Sequence, residues 1–199
     1  MNPSPLPTGD YVLTNFRYLS VYNELVARIG QRQQTLTLFV AIFTGLVTAI
    51  VATREIFKTN PATIVWLMVG FPFASIALTL LNFKYETLIS LLREYLAEQE
   101  SIKDANLHYP SYNCSPAYMK RANRARYFHD LTCALLILAY NIAAIGIYSS
   151  ITPETNPSFL VVTLGVGLTA VGCFAAHLCL RYVHYRPSDG VKSPENATG

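Results

Sequence analysis

Charge is what this sequence has least of. Asp, Glu, Lys and Arg together make up 14% of its 199 residues, where ordinary soluble domains carry roughly a quarter. The formal net charge is only +3 and no Lys/Arg-rich run dominates, so no surface for nucleic acid is indicated. Cysteine is scarce too. Cys133, Cys173 and Cys179 fall inside hydrophobic blocks and Cys114 lies alone in a polar stretch, so no spacing points to a disulfide framework or a zinc site. Gly-rich phosphate loops, histidine boxes and Ser/His/Asp sets are missing as well. His108, His129 and His184 share no ligand spacing. No catalytic residue, bound metal or cofactor is therefore expected, and the chain is read as a non-enzyme.

What the chain has instead is apolar sequence, with hydrophobic residues at 52%. It is gathered into four blocks, while nearly all the charge lies between them. A helix needs about 20 apolar residues to cross a hydrocarbon core of ~30 Å. Residues 35–53, 61–83, 131–151 and 159–180 each meet that length with almost no charge. Pro61 suits the first turn of its helix. A soluble bundle would require all four helices to lack a polar face. The expected class is therefore an all-α integral membrane four-helix bundle, built from one hairpin over 35–83 and a second over 131–180. The first block starts too far along the chain, after too much patterned polar sequence, to read as a cleaved signal peptide.

Orientation follows from the basic residues, which resist translocation. Arg17, Arg28 and Arg32 precede the first span. Lys84, Arg93, Lys103, Lys120, Arg121, Arg124 and Arg126 fill the central connection, and Arg181, Arg186 and Lys192 follow the last span. Only Arg54 and Lys58 fall in the first short connection, and 152–158 has no basic residue. This places both termini in the cytoplasm of a multi-pass cell-membrane protein, with two short turns outside.

The cytoplasmic part divides into three. Residues 1–34 form a tail and an amphipathic helix, in which Val12, Phe16, Leu19, Val26 and Ile29 recur at helical spacing. It is expected to lie along the membrane or to pack against the inner ends of the spans. Residues 84–130 form a helical hairpin: an acidic helix bearing Glu86, Glu94, Glu98, Glu100 and Asp104, a turn containing Pro110 and Pro116, and a basic helix bearing Lys120, Arg121, Arg124 and Arg126. Opposite charge should pair the two arms. The four basic residues are also candidates for binding anionic lipid or a partner, at about 1 kcal/mol per charge near a lipid surface. Residues 181–199 are expected to be a largely disordered cytoplasmic tail.

Within the spans a few residues stand out. Ala41, Gly45 and Ala49 form a small face on the first span, as do Gly165, Thr169, Gly172 and Ala176 on the fourth. Such faces let membrane helices approach closely, within the bundle or between copies in a homo-oligomer. Asn141 and His177 are the candidate intramembrane polar groups. Each reads as a hydrogen-bonded packing residue or as a site for a solute. Pro72, with Gly70 just before it, removes a helical hydrogen bond and is a candidate hinge. The first and third spans open similarly (LTLFVAIFTGLVTAI and LTCALLILAYNIAAIG), a hint of duplicated hairpins.

Tyr22, Glu24, Leu25, Arg28, Arg32 and Gln33 form an Arg-bearing helix that feeds directly into a hairpin. Ile89, Leu92, Glu94, Tyr95 and Leu96 then leave that hairpin as a further helix. This layout resembles uncharacterised bacterial multi-pass membrane proteins, and is similar to the SLATT-type and Pycsar-type membrane effectors of antiviral defence. The resemblance covers the first half of the chain, and the second hairpin departs from the two-span pattern. It implies an oligomer that perturbs the membrane when triggered, and it carries over no binding residue. The expected function is an oligomeric membrane effector, sensor or scaffold that receives a cytoplasmic protein or small-molecule signal, with membrane lipids as further partners. The alternative is a small ion or solute channel or transporter, in which Asn141, His177 and Pro72 would converge on a polar midplane cavity. A cytoplasmic cleft lined by Glu86, Arg93, Lys120 and His129 would instead point to an enzyme acting on lipid.

Overall fold

A computed structural model describes residues 14–55, 62–100, 116–152 and 157–179. These residues form α1 (Thr14–Ala52), α2 (Ala62–Glu100), α3 (Pro116–Ile151) and α4 (Pro157–Cys179), and no strand occurs among them. All four helices are long and apolar enough to cross a membrane. The expected tail after the last span lies outside the described residues, as does the turn between the arms of the expected hairpin.

The outer surface shows why these helices need lipid. Only 17–33% of the residues in each helix's most apolar window are buried. Trp66 (78% exposed), Phe73 (72%) and Leu168 (70%) lie on the outside. In water so much uncovered apolar surface would drive aggregation; in a bilayer it is at home. Backbone hydrogen bonding inside each helix meets the other requirement of a hydrocarbon solvent.

Helix length separates α4 from the rest. At 1.5 Å per residue, α4 is about 35 Å long, enough to cross ~30 Å of hydrocarbon and little more. By the same rise, α1 and α2, each of 39 residues, reach about 58 Å. Three helices therefore run on past the apolar zone at one end of the bundle, called here the charged end.

The first correction concerns α1. The amphipathic helix expected to lie along the membrane or to pack against the inner ends of the spans is not a separate helix but the first half of one continuous with the span. Nothing between Gly30 and Thr35 breaks it, because the lone Gly30 costs only about 1 kcal/mol against Ala. Likewise, α3 runs without interruption from the basic segment into its span. Between the acidic and basic segments Glu86 pairs with Arg126. Beyond the apolar zone α2 packs chiefly on α1: Leu25, Ile89 and Leu96 form a small core with Tyr18, Val21, Ile29 and Leu92 around it. The Tyr18 hydroxyl donates to Glu100 at 2.9 Å. Burial together with the Glu100 carboxylate pushes the Tyr18 phenol up to about 12.

Within the apolar zone the main core is aromatic at its centre. Phe43 lies 5.2 Å edge-on to Phe71, 5.0 Å from Tyr140 and 4.2 Å from Phe39, centroid to centroid, which adds about 0.5–1.5 kcal/mol per pair beyond area burial. Near the opposite end Tyr148 stacks on Phe159 at 5.7 Å, joining α3 to α4. α2 is continuous through Pro72, whose missing N–H leaves the Met68 carbonyl without its helical donor. At Gly70 the side chain of Leu46 on α1 lies close against α2. A Cβ there would stand 3.1 Å from a Leu46 methyl.

Candidate functional site: a buried ionic layer and a basic cleft

Where α1, α2 and α3 leave the apolar zone, their polar side chains turn inward and meet. Arg32 is 6% exposed, Glu86 1%, Arg126 6%, Asp130 1% and Asn82 1%. Arg32, on α1, uses three guanidinium nitrogens on three neighbours. Its Nε donates to Asn82 Oδ1 at 2.9 Å, its Nη1 forms an ion pair with Glu86 Oε2 at 2.9 Å, and its Nη2 donates to Asp130 Oδ1. Asn82 closes the ring by donating from Nδ2 to Asp130 Oδ1 at 2.9 Å. Arg126 Nη2 donates to Glu86 Oε1 and to Ser90 Oγ, the latter at 2.6 Å.

The charges alternate Asp130, Arg32, Glu86, Arg126, and within this set they sum to zero. Such balance is the condition for burying ions, since each costs several kcal/mol to dehydrate and only a well-placed partner offsets it. The planar fork of arginine explains why Arg occupies both basic positions, for a lysine could not address three separate neighbours in one plane. The layer joins α1 to α2, α1 to α3 and α2 to α3. α4 approaches it through His177, which is 1% exposed and donates from Nδ1 to its own helix at the Cys173 carbonyl, 2.9 Å away.

Beside the ionic layer lies a cleft of about 330 Å³ between the same three helices. Ile29, Arg32 and Gln33 of α1, Ile89 and Arg93 of α2, and Ala122, Ala125, Arg126 and His129 of α3 line it. His129 Nδ1 sits 3.6 Å from Cys133 Sγ and 3.9 Å from Asp130 Oδ1. This cleft contains Arg93 and His129 of the set that would mark an enzyme acting on lipid. Glu86 is turned to the arginines instead, and Lys120 is exposed elsewhere on α3.

The residues singled out from sequence separate. Of the basic cluster, Lys120, Arg121 and Arg124 are exposed, with Arg124 over the Phe128 ring at 5.8 Å, whereas Arg126 is buried in the layer. Asn141, fully buried, donates from Nδ2 to Ser75 Oγ at 2.9 Å and to the Ile137 carbonyl at 2.7 Å. Ser75 lies a turn beyond Pro72, so Asn141 and Pro72 come near one another, while His177 belongs with the ionic layer. The small residues Ala41, Gly45, Gly165, Gly172 and Ala176 face outward, and a Cβ at any of the three glycines would meet nothing within 4 Å. Ala49 and Thr169 are half-buried at the edges of those faces. Among the described residues, no group of three or more His, Cys, Asp or Glu side chains gathers as a metal site.

Reading along the chain misses the ionic layer. Arg32 there serves as an orientation signal, Glu86 as part of a solvated acidic face, and Asp130 only as the boundary of the third span. The signal that finds them is depth: Arg32, Asn82, Glu86, Arg126, Asp130 and His177 all lie within about two helical turns of the same edge of their spans. Comparison of the chain with family models, curated proteins and solved structures gives no match, so the site is read from its own geometry.

Proposed function

We propose that this chain is a non-enzymatic multi-pass protein of the cell membrane whose cytoplasmic helices receive a signal and pass it to the spans, acting as an oligomeric effector, sensor or scaffold. One observation carries the reading. α1, α2 and α3 each run unbroken from the charged end into the apolar zone, and a buried ionic layer locks them together where they enter it. A displacement of any of the three at the charged end moves its span with it. In this reading the paired layer is one state of a switch and the broken layer the other. The outward small faces of α1 and α4 support assembly between copies in lipid, where close backbone approach drives association.

The channel or transporter reading has less support, because the Asn141 amide nitrogen is spent on Ser75 and a backbone carbonyl inside a packed core, where only its Oδ1 lacks a partner. The test is to count subunits by native mass spectrometry of the purified protein in nanodiscs, with dye leakage from vesicles measured alongside. An oligomer whose leakage rises when Glu86→Gln loosens the layer is expected. A strict monomer that leaves vesicles tight in both forms would sink the proposal.

A further inference from the structure

The cleft beside the ionic layer has a composition that the layer itself does not need. We infer that it binds a phosphate-type anion, carried either by a free small molecule or by the headgroup of an anionic lipid; this rests on reading the charged end as the receiving end. Three guanidinium side chains and an imidazole line it, and no carboxylate does. Arg32 is committed through all three nitrogens to Asn82, Glu86 and Asp130, whereas Arg126 meets Glu86 through Nη2 and keeps its Nε off the carboxylates. Arg126, 6% exposed, keeps a buried Nε with no hydrogen-bond partner, and so does His129 at Nε2. Buried donors are ordinarily satisfied, so the Arg126 Nε beside the cleft calls for an acceptor.

The chemistry selects the class of acceptor. Guanidinium forks match phosphate oxygens in geometry and charge. Ile29, Ile89 and Ala122 give the cleft apolar walls beside these charges, which strengthens that attraction relative to open water. A volume of about 330 Å³ compares with about 30 Å³ for each water in the liquid, which leaves room for a phosphate and a small group attached to it. The position, just past the apolar zone, suits a headgroup as well as a soluble ligand.

The experiment uses full-length protein in two kinds of nanodisc. In phosphatidylcholine discs, pyrophosphate is titrated calorimetrically; in discs containing phosphatidylglycerol, native mass spectrometry counts retained anionic lipids. Saturable pyrophosphate binding identifies a soluble anion, and lipid retention without it identifies a headgroup. Gln33→Glu places a carboxylate at an exposed position of the lining without touching the ionic layer, and is expected to weaken whichever binding is seen at least tenfold. Ala125→Glu, also exposed, serves if Gln33→Glu fails to fold. Changing Lys120 and Arg121 to Gln, outside the cleft, is expected to leave binding within about twofold. Binding in neither disc overturns the inference, as does binding that both glutamate variants leave intact. Subunit count and leakage are read independently, so loss of the anion site is distinguishable from loss of the effector role.

Discussion

Arg32 Nη1 lies 2.9 Å from Glu86 Oε2 with both side chains all but inaccessible, at 6% and 1% exposure. α1 and α2 are thus tied by an ion pair that water barely reaches, and the same arginine also holds Asn82 and Asp130. Removing it strands the buried Asp130 carboxylate and leaves Glu86 with Arg126 alone. Arg32→Met is expected to destabilise the bundle by about 3–5 kcal/mol, as breaking a buried pair does. Arg32→Lys should recover only part of that loss, since an ammonium cannot span three neighbours. Thermal unfolding in detergent, monitored by circular dichroism, reads both.

Coupling within the layer has its own signature. Arg126 and Glu86 are joined directly, so Arg126→Met and Glu86→Met each leave an ion unmatched, whereas the double change removes a balanced pair. The double variant should therefore be more stable than the sum of the single losses implies, by about 1–3 kcal/mol of interaction energy. Simple additivity in the unfolding free energies would show that the two side chains are not coupled.

The membrane architecture could be read along the chain because a span is a local property. A charge-free run such as 131–151 announces itself whatever surrounds it. The ionic layer is not local. Arg32, Asn82, Glu86 and Asp130 meet only once the helices are threaded in alternating directions and aligned by depth, and no single window holds more than one strand of that argument. The division of the basic cluster was hidden for a related reason. Arg126 differs from Arg124 only by facing α2 rather than the outside, and that depends on where α3 packs. α1 was the reverse case: its apolar spacing suggested a separate amphipathic helix, on the membrane surface or packed against the spans, yet no breaker interrupts the sequence, and the helix simply continues.

Close packing of α1 on α2 makes two glycines unequal. A side chain at Gly70 would press on Leu46, while one at Gly45 would enter open space. Gly70→Val is expected to cost about 1–3 kcal/mol through overpacking. Gly45→Ala should stabilise the monomer by about 1 kcal/mol through helix propensity, yet it should weaken any self-association that uses the outward face of α1. Comparing unfolding midpoints with subunit counts for the two variants separates the effects.

Tyr18 and Glu100 fasten the far ends of α1 and α2, and their bond is available only while the phenol keeps its proton. Tyr18→Phe is expected to cost about 1 kcal/mol, the net worth of one hydrogen bond. The pH dependence has a definite sign. Because the folded phenol is raised from 10.0 to about 12, its contribution is complete below pH 10 and fades as pH climbs through 12. An ultraviolet tyrosinate titration of wild type against Tyr18→Phe should show one phenol ionising late; ionisation of that group near pH 10 would mean the bond does not form.

The cysteines offer the decisive check on orientation. Cys114 lies between the second and third spans, whereas Cys133 and Cys173 are buried within the bundle. The proposed topology, which rests on the asymmetry in Lys and Arg, sets the 84–130 region in the cytoplasm and the ionic layer at the inner membrane boundary. With Cys133, Cys173 and Cys179 changed to Ala, Cys114 is left as the sole thiol. A membrane-impermeant maleimide should label it in inside-out vesicles and spare it in intact cells. The reverse pattern would place the charged end, the layer and the cleft on the outer face. A cytoplasmic signal could not then reach them, and the proposed function would fall with the topology.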